Sequence, residues 1–256
     1  MTFWGAAAVA YGVVMAGAAL SRPVRRRPLA LVMSVAYTLM AAGAATLAAS
    51  AAMSLIAPGA LLLAGYWLSG LFLTAPQPWF EAWLMRFDHR LHAARWAARM
   101  PSWFADLLEL SYASVHLVVA GGAIASAFAG LESVNRYWSL VLTAELLSYA
   151  ALPWLQSRPP RVLEGDEPRR GRPSSVRRLN LAILDGASVQ ANTFPSGHVS
   201  GAVAAALGVM ALDDTAGWAL LGVAGLIAAG AVTGRYHYAV DCASGVLLSV
   251  VVWSLM

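Results

Sequence analysis

The 256-residue sequence has no lysine, and it has only one cysteine, Cys242. A single cysteine excludes an internal disulfide bond and a thiolate metal cluster. Charged residues make up only 12% of the chain, whereas soluble domains have roughly 25%. This is too little polar surface for an ordinary soluble enzyme, a disordered chain or a nucleic-acid-binding protein, so we expect no nucleic-acid partner.

Long uncharged segments are present instead. Residues 29–80 carry no formal charge over fifty-two positions, and hydrophobic residues make up 59% of the chain. A helix of about twenty apolar residues crosses a bilayer. The sequence therefore predicts an all-α, polytopic membrane helix bundle, in which the first apolar segment is a retained span. Hydropathy indicates eight candidate spans: 3–20, 29–50, 58–75, 105–130, 136–155, 199–212, 216–232 and 239–256.

Residues 79–100 have the spacing of an amphipathic helix. Phe80, Leu84 and Leu91 fall on one helical face, whereas Asp88 and Arg95 fall on the other. Such a helix lies in the membrane interface. It is either a plain anchor or a collar that guides a lipid headgroup to a site, and both interpretations stay open.

The arginine distribution predicts a topology. When the eight spans alternate, sixteen arginines fall on one side of the membrane and only Arg136 falls on the other. The positive-inside rule makes the arginine-rich side cytoplasmic and places both termini outside.

Three short segments contain the residue types needed for phosphate chemistry, and alternating spans bring them to one membrane face. They are Arg-Pro-Pro-Arg at 158–161, Phe-Pro-Ser-Gly-His at 194–198 and Gly-Arg-Tyr-His-Tyr-Ala-Val-Asp at 234–241. Arg158, Arg161 and Arg235 supply guanidinium groups that bind phosphate through two parallel hydrogen bonds. We therefore expect an anion site on this face.

The same segments supply catalytic groups. Ser196 and Gly197 stand where a helix begins, so free backbone N–H groups there predict a phosphate cradle. His237 and Asp241 are four residues apart, and on one helical turn the carboxylate would fix the imidazole tautomer and leave the other ring nitrogen free to attack. His198 is then the acid that protonates a leaving alkoxide. These are the parts that phosphoryl transfer through a covalent intermediate requires.

In these motifs the sequence resembles the type 2 phosphatidic acid phosphatase and vanadium-haloperoxidase superfamily. Residues 195–198 match its second motif, and His237 and Asp241 match its third. The resemblance implies a phosphohistidine intermediate on His237, with His198 as general acid and Asp241 as orienting group. It also implies phosphate contacts from Ser196 and Gly197, and no metal or other cofactor.

The resemblance also suggests a domain organisation. It covers residues 58–256 and implies a six-helix phosphatase core, with the N-terminal transmembrane helices of residues 1–57 preceding it. Within that core we predict an interfacial helix over 79–100 and an active-site loop over 157–193.

The first and third motifs depart from the common pattern of the superfamily. Ala151 stands where the first motif has lysine, and Ala231 stands where the third has arginine. The Pro-Pro-Arg segment ending at Arg161 more closely resembles the subgroup that includes inositol phosphorylceramide synthases. We favour Arg161 as the arginine of the first motif and leave the roles of Arg158 and Arg235 open.

The predicted function is that of an integral membrane lipid phosphatase, which hydrolyses a phosphate monoester or pyrophosphate without a metal. Expected substrates are phosphatidate, phosphatidylglycerol phosphate or a polyprenyl pyrophosphate, bound from the bilayer. The alternatives are a lipid headgroup phosphotransferase and a non-enzymatic lipid-binding or transport protein; a homo-oligomer is compatible with each. Arginine counting places the site in the cytoplasm, whereas the resemblance implies the extracytoplasmic face, which we favour.

Three further features of the sequence lie outside these motifs. His116 and Glu145 lie at similar depth within their spans and are either functional or a structural pair. His89 and His92 lack a third ligand, so we predict no metal site there. Residues 163–193 are either a lid over the site or a solvated loop.

Overall fold

A computed structural model describes residues 2–48, 50–164 and 174–256. The predicted all-α polytopic fold is confirmed: the described residues form helices and no strand. In chain order the helices are α1 (Phe3–Ser21), α2 (Arg27–Thr46), α3 (Ala51–Gly70), α4 (Pro78–Leu91), α5 (Ala93–Arg99), α6 (Ser102–Ala113), α7 (Val115–Phe128), α8 (Leu131–Ala150), α9 (Pro160–Leu163), α10 (Ser175–Ala187), α11 (Gly197–Met210), α12 (Asp214–Thr233) and α13 (Ala239–Ser254).

The helices indicate a multi-pass membrane protein. Within the described residues, α1, α2, α3 and α12 are long and apolar enough to cross a membrane, and α6 with α7 forms one more candidate, bent by 50°. α11 and α13 are apolar but shorter. α8 has 20 residues but carries Glu132, Arg136 and Glu145. Each of the eight segments selected by hydropathy overlaps one of these helices or the bent pair.

Two predicted boundaries differ from the structure. The third span was expected to begin at Pro58, but α3 begins at Ala51, where the Ser50 hydroxyl accepts the N–H of Met53 and caps the helix. The single interfacial helix over 79–100 is divided into α4 and α5. The division falls at His92, whose left-handed backbone (φ 53°) ends α4.

α8 and α11 pack at the centre of the bundle because glycines of α11 face large side chains of α8. A Cβ atom on Gly197 would lie 2.7 Å from the Tyr149 ring, and one on Gly208 would lie 2.7 Å from the Tyr137 ring. α11 also packs against α7, α12 and α13. Small residues that allow close approach are typical of helix interfaces in membranes.

The N-terminal helices pack on the outside of this centre, with α1 and α3 against α8. Trp4 Nε1 donates to Asn135 Oδ1 at 2.8 Å at one end of the bundle, and Arg22 Nε donates to the carbonyl of Pro153 at 3.3 Å at the other. The arginine-rich connection between α1 and α2 therefore lies at the same end as the segment that follows α8, as the alternation of spans predicts.

Short helices cover this arginine-rich end of the bundle. α4 packs on α13, α5 on α12 and α10 on α6. The predicted active-site loop over 157–193 contains α9 and α10 in its described part. Five charged residues of that loop lie outside the described residues: Asp166, Glu167, Arg169, Arg170 and Arg172.

Candidate active site

The three chemistry-bearing segments converge at the arginine-rich end and are joined through backbone atoms. The N–H of Arg161 donates to the carbonyl of Arg235 at 3.2 Å, and the N–H of Ser196 donates to the carbonyl of Asp241 at 3.0 Å. The hydroxyl of Tyr238 donates to the carbonyl of Arg158 at 2.9 Å. The relative positions of the three motifs are therefore set by direct hydrogen bonds between them.

The rings of the two motif histidines lie close together. The ring centroids of His198 and His237 are 5.9 Å apart and their planes are inclined by 53°. His198 lies in the first turn of α11, whereas His237 lies in the connection between α12 and α13 and is 5% exposed. This separation is compatible with one tetrahedral phosphorus between the two imidazoles.

His237 and Asp241 are close, but not through the helical pairing expected from their spacing. His237 precedes Tyr238, the N-cap residue of α13, so the pair does not share a helical turn. The Asp241 carboxylate instead folds back over the helix start, where Oδ2 accepts the N–H of Tyr238 at 2.9 Å and lies 3.6 Å from Nδ1 of His237. Capping of α13 thus fixes the carboxylate beside the imidazole.

The N–H groups of the predicted phosphate cradle have acceptors within the protein. Ser196 is the N-cap of α11 and donates its N–H to Asp241, while Gly197 donates its N–H to Oγ1 of Thr193 at 3.2 Å. Neither N–H is free, contrary to the expectation from sequence. Within the described chain no group accepts the N–H of His198, which is therefore the amide of this helix start that an anion can use.

The arginines of the site differ in their partners. Arg158 forms a two-point ion pair with Glu81 of α4, with Nη2 2.9 Å from Oε2, and this bond lowers the pKa of Glu81. Arg235 pairs with Glu164. Arg161 has no carboxylate within ion-pair distance among the described residues.

The Arg161 guanidinium lies 5.4 Å from the centre of the Tyr236 ring, and burial lowers its pKa. A half-buried guanidinium without a carboxylate partner is suited to a ligand anion.

A buried polar network lies beside the histidines, and the sequence analysis did not predict it. Glu109 of α6 accepts hydrogen bonds from Arg177 Nη1 at 2.5 Å, from Asn180 Nδ2 at 2.7 Å and from the Tyr236 hydroxyl at 2.6 Å. All four residues are at most 3% exposed. The network joins α10 to α6 and to the third motif. An acidic residue within an apolar span was the one sequence signal that could have revealed it.

An aromatic stack connects this network to His198. Tyr112 lies between the two, with its ring centroid 4.3 Å from that of Tyr236 and 4.9 Å from that of His198, in nearly parallel planes. The His198 ring is therefore stacked on Tyr112 and lies near the His237 ring, and this packing restricts its orientation.

The residues for which the sequence left a role open have identifiable neighbours. The His116 ring lies 5.8 Å from the His198 ring, so it belongs to the surroundings of the site. Glu145 accepts a hydrogen bond from the Tyr149 hydroxyl at 2.5 Å. The structure therefore shows no hydrogen bond between His116 and Glu145 in the described chain. The described residues also contain no group of three or more metal-ligating side chains.

The interfacial helix α4 presents carboxylates to the site. Asp88 is 6% exposed, and its Oδ1 accepts the N–H of Ala239, the first residue of α13, at 2.8 Å. Burial, opposed by this bond, raises the pKa of Asp88 to about 6, with Asp241 and Glu164 adding to the increase and Arg235 opposing it. The charged face of α4 thus packs on the protein at Glu81 and Asp88.

We expect the free energy of unfolding to depend less on pH in the Asp88→Asn variant than in the wild-type chain. An unfolded aspartate has a pKa of about 4, so native Asp88 binds its proton more tightly than the unfolded chain does. In the wild-type chain the free energy of unfolding should therefore fall by about 2 kcal/mol as the pH rises from about 4 to about 6. Above about pH 6 this contribution should level off. Thermal unfolding in detergent across this range tests it: the variant should have a flatter profile, and an unchanged slope would contradict this assignment.

We expect the Gly245→Ala variant to lose activity because the added atom meets main chain. A Cβ atom at Gly245 would lie 2.8 Å from the carbonyl oxygen of Ser196 and 3.2 Å from the N atom of Ser200. α13 must then move away from α11, which separates the two histidines. Turnover should fall by about 100-fold and stability by about 1–3 kcal/mol. The control Gly222→Ala, where nothing lies within 4 Å, should retain both.

The fold and the site together define a membrane phosphatase-type protein. The family model of the PAP2 superfamily matches residues 80–255, which is more than half of the chain, and the chain belongs to this superfamily. Members of the superfamily are phosphatases and phosphoesterases, so the chain is a hydrolase in general class. The match begins in α4 and leaves α1, α2 and α3 outside it. No curated protein and no solved structure matches the chain.

Proposed function

We propose that this protein hydrolyses a lipid phosphate monoester or pyrophosphate through a phosphohistidine on His237. The observation that supports it most is the pair of neighbouring imidazoles, His198 and His237, whose ring centroids are 5.9 Å apart. Arg161, which has no carboxylate partner among the described residues, belongs to the same site. The substrates we expect are phosphatidate, phosphatidylglycerol phosphate or a polyprenyl pyrophosphate. The apolar tail stays in the bilayer, and the phosphate enters the arginine-rich end. The chemistry proposed here uses no cofactor.

In the first step His237 attacks phosphorus with Nε2, because Nδ1 faces the Asp241 carboxylate at 3.6 Å. The Nε2–P bond forms while the bond from phosphorus to the lipid oxygen breaks and its electron pair stays on that oxygen. His198 donates a proton to this oxygen, and the lipid alcohol leaves. Asp241 holds the tautomer of His237 and stabilises the positive charge that develops on its ring.

In the second step water attacks the phosphohistidine. His198, now neutral, takes a proton from the water as its oxygen bonds to phosphorus, and the N–P bond breaks to regenerate His237. The guanidinium of Arg161 and the backbone N–H of His198 stabilise the charge on the phosphoryl oxygens in both steps. We propose that Ser196 and Gly197 shape the start of α11. A direct phosphate contact from either backbone N–H would require that N–H to release the acceptor it has in the structure.

We expect the Arg161→Lys variant to lose about 100- to 1,000-fold in kcat/KM. Lysine keeps the charge but cannot form two parallel hydrogen bonds to a phosphate. The Arg158→Gln variant is the matched comparison, since Arg158 is paired with Glu81, and its loss should remain below about 10-fold. Equal losses in both variants would contradict the assignment of Arg161 as the main phosphate ligand.

The second candidate is a phosphotransferase that shares the covalent step. The Pro-Pro-Arg segment at 159–161 and the His-Tyr…Asp segment at 237–241, similar to those of the inositol phosphorylceramide synthase subgroup, favour it. Here an alcohol in place of water accepts the phosphoryl group or phosphorylated headgroup. A panel of lipid phosphates assayed with and without alcohol acceptors separates the two. Release of inorganic phosphate without an acceptor supports hydrolysis, and strict dependence on an acceptor supports transfer.

We further propose that the site faces the extracytoplasmic side. At least three of the arginines that favour a cytoplasmic site by counting, Arg158, Arg161 and Arg235, lie in or beside the anion site, so they are poor topology signals. A compartment-sensitive reporter fused to either terminus tests this. Because the site lies at the end opposite Thr2, a cytoplasmic N-terminus is the expected result.

A further inference from the structure

A groove lies between α5 and the start of α6, outside the histidine site. The cavity has a volume of about 540 Å³, within the range of small-molecule sites. Its lining combines apolar side chains with two arginines: Leu91, Arg95, Trp96, Arg99, Met100 and Phe104. Trp96 and the nearby Trp103 are 70% and 69% exposed. Exposed tryptophans at the ends of apolar helices lie at headgroup depth in a bilayer, so the groove opens at the membrane interface.

The charge of the groove indicates an anionic occupant. Arg95 and Arg99 are four residues apart on α5, and both are exposed. Neither forms an ion pair within the described chain, whereas Arg158, Arg177 and Arg235 each have a carboxylate. Like charges at this helical spacing repel each other, and an anion bound between them removes the repulsion.

A second cavity adjoins the groove on the side of Arg235. It has a volume of about 200 Å³ and shares His92 and Arg95 with the groove. Its lining also includes Asp88, His89 and Arg235, and the carbonyl of Arg235 accepts the N–H of Arg161. His92, whose left-handed backbone separates α4 from α5, lies in the lining of both cavities. A phosphate bound at Arg95 is thus adjacent to a polar cavity that also touches Arg235, a residue of the third motif.

We propose that the groove is a loading site for an anionic phospholipid of the phosphatidate type. Arg95 and Arg99 bind the phosphate, while Leu91, Trp96 and Phe104 contact the first part of an acyl chain. The headgroup then moves through the second cavity toward Arg235. The assignment of this lipid as the substrate rests on the proposed function, but lipid binding in the groove is a separate property.

Binding of a fluorescent phosphatidate tests the loading site directly. The full chain carrying His237→Asn, which prevents turnover, is placed in phosphatidylcholine nanodiscs and titrated. Adding Arg95→Gln and Arg99→Gln should weaken binding at least 10-fold. Adding Arg25→Gln and Arg26→Gln instead is the matched control, because these exposed arginines lie at the same end of the bundle, and it should leave binding unchanged. Equal affinity in the two double variants overturns the proposal.

Kinetics of the otherwise wild-type chain distinguish loading from catalysis. The Arg95→Gln/Arg99→Gln variant should raise the KM for phosphatidate about 10-fold with little change in kcat. Its hydrolysis of the water-soluble ester p-nitrophenyl phosphate should be unchanged, since that ester needs no groove. If lipid binding depends on the groove but no hydrolysis occurs, the proposed function is refuted and the lipid site is retained. If hydrolysis occurs and does not depend on Arg95 or Arg99, only the loading site is refuted.

Discussion

Replacing His237 by asparagine is expected to reduce hydrolysis of a lipid phosphate to background, a loss of about 10⁴-fold or more. Asparagine retains a polar side chain of similar reach but has no ring nitrogen that can bond covalently to phosphorus. Phosphate release from a lipid phosphate in detergent measures the loss. Rapid quenching with a radiolabelled substrate should trap phosphate on the wild-type chain and none on the variant.

The His198→Asn variant provides the comparison for this result. If His198 protonates the leaving oxygen, its removal should greatly slow release of a lipid alcohol, which is a poor leaving group. It should slow release of p-nitrophenol much less, because that leaving group departs without a proton. His237→Asn should abolish both reactions. Unchanged turnover and unchanged vanadate inhibition in the His237 variant would contradict the enzyme assignment and favour a lipid-binding or transport protein.

Replacing Glu109 by alanine is expected to destabilise the protein by about 3–5 kcal/mol. The carboxylate is 1% exposed and accepts hydrogen bonds from Arg177, Asn180 and Tyr236. Its removal takes away the carboxylate that lies 2.5 Å from the buried Arg177 guanidinium, together with the acceptor of the Asn180 and Tyr236 hydrogen bonds. Activity should also fall in the molecules that remain folded, because the Tyr236 ring stacks on Tyr112, and Tyr112 stacks on His198.

Unfolding followed by tryptophan fluorescence in detergent measures the effect of Glu109→Ala. The Glu132→Ala variant is the matched control, since Glu132 is exposed at the start of α8, and it should change stability by less than about 0.5 kcal/mol. Glu109→Gln should fall between the two, as glutamine still accepts a hydrogen bond from Tyr236 but carries no charge. A stable Glu109→Ala variant would mean that Arg177 finds another partner.

The positions of the membrane helices were largely predictable, because the cost of placing polar groups in a bilayer leaves a strong signal in each segment. The start of α3 and the division at His92 were not. Ser50 caps α3 before the apolar peak begins, and the turn at His92 separates two helices with one continuous amphipathic pattern. The Ser50 cap and the backbone angle at His92 determine these boundaries. Hydropathy contains no information on either feature.

The sequence predicted which residues form the candidate site, but not how they contact one another. The sequence indicated that His198, His237 and Asp241 belong together, and the structure places them together at one end of the bundle. It did not indicate that Asp241 reaches His237 by folding back over the start of α13. Nor did it indicate that the N–H groups of Ser196 and Gly197 are already bonded.

The sequence by itself determined the class of molecule, because scarce charge, apolar runs and three motifs are properties of the chain read in order. Only the tertiary structure decided which charges pair. Glu81 and Glu164 neutralise Arg158 and Arg235, and among the described residues they leave Arg161 without a carboxylate. Glu109, Tyr112 and Arg177 join the site through contacts between α6, α10 and the third motif. Such pairings depend on distances between residues that are far apart in the chain, and spacing along the sequence does not encode those distances locally.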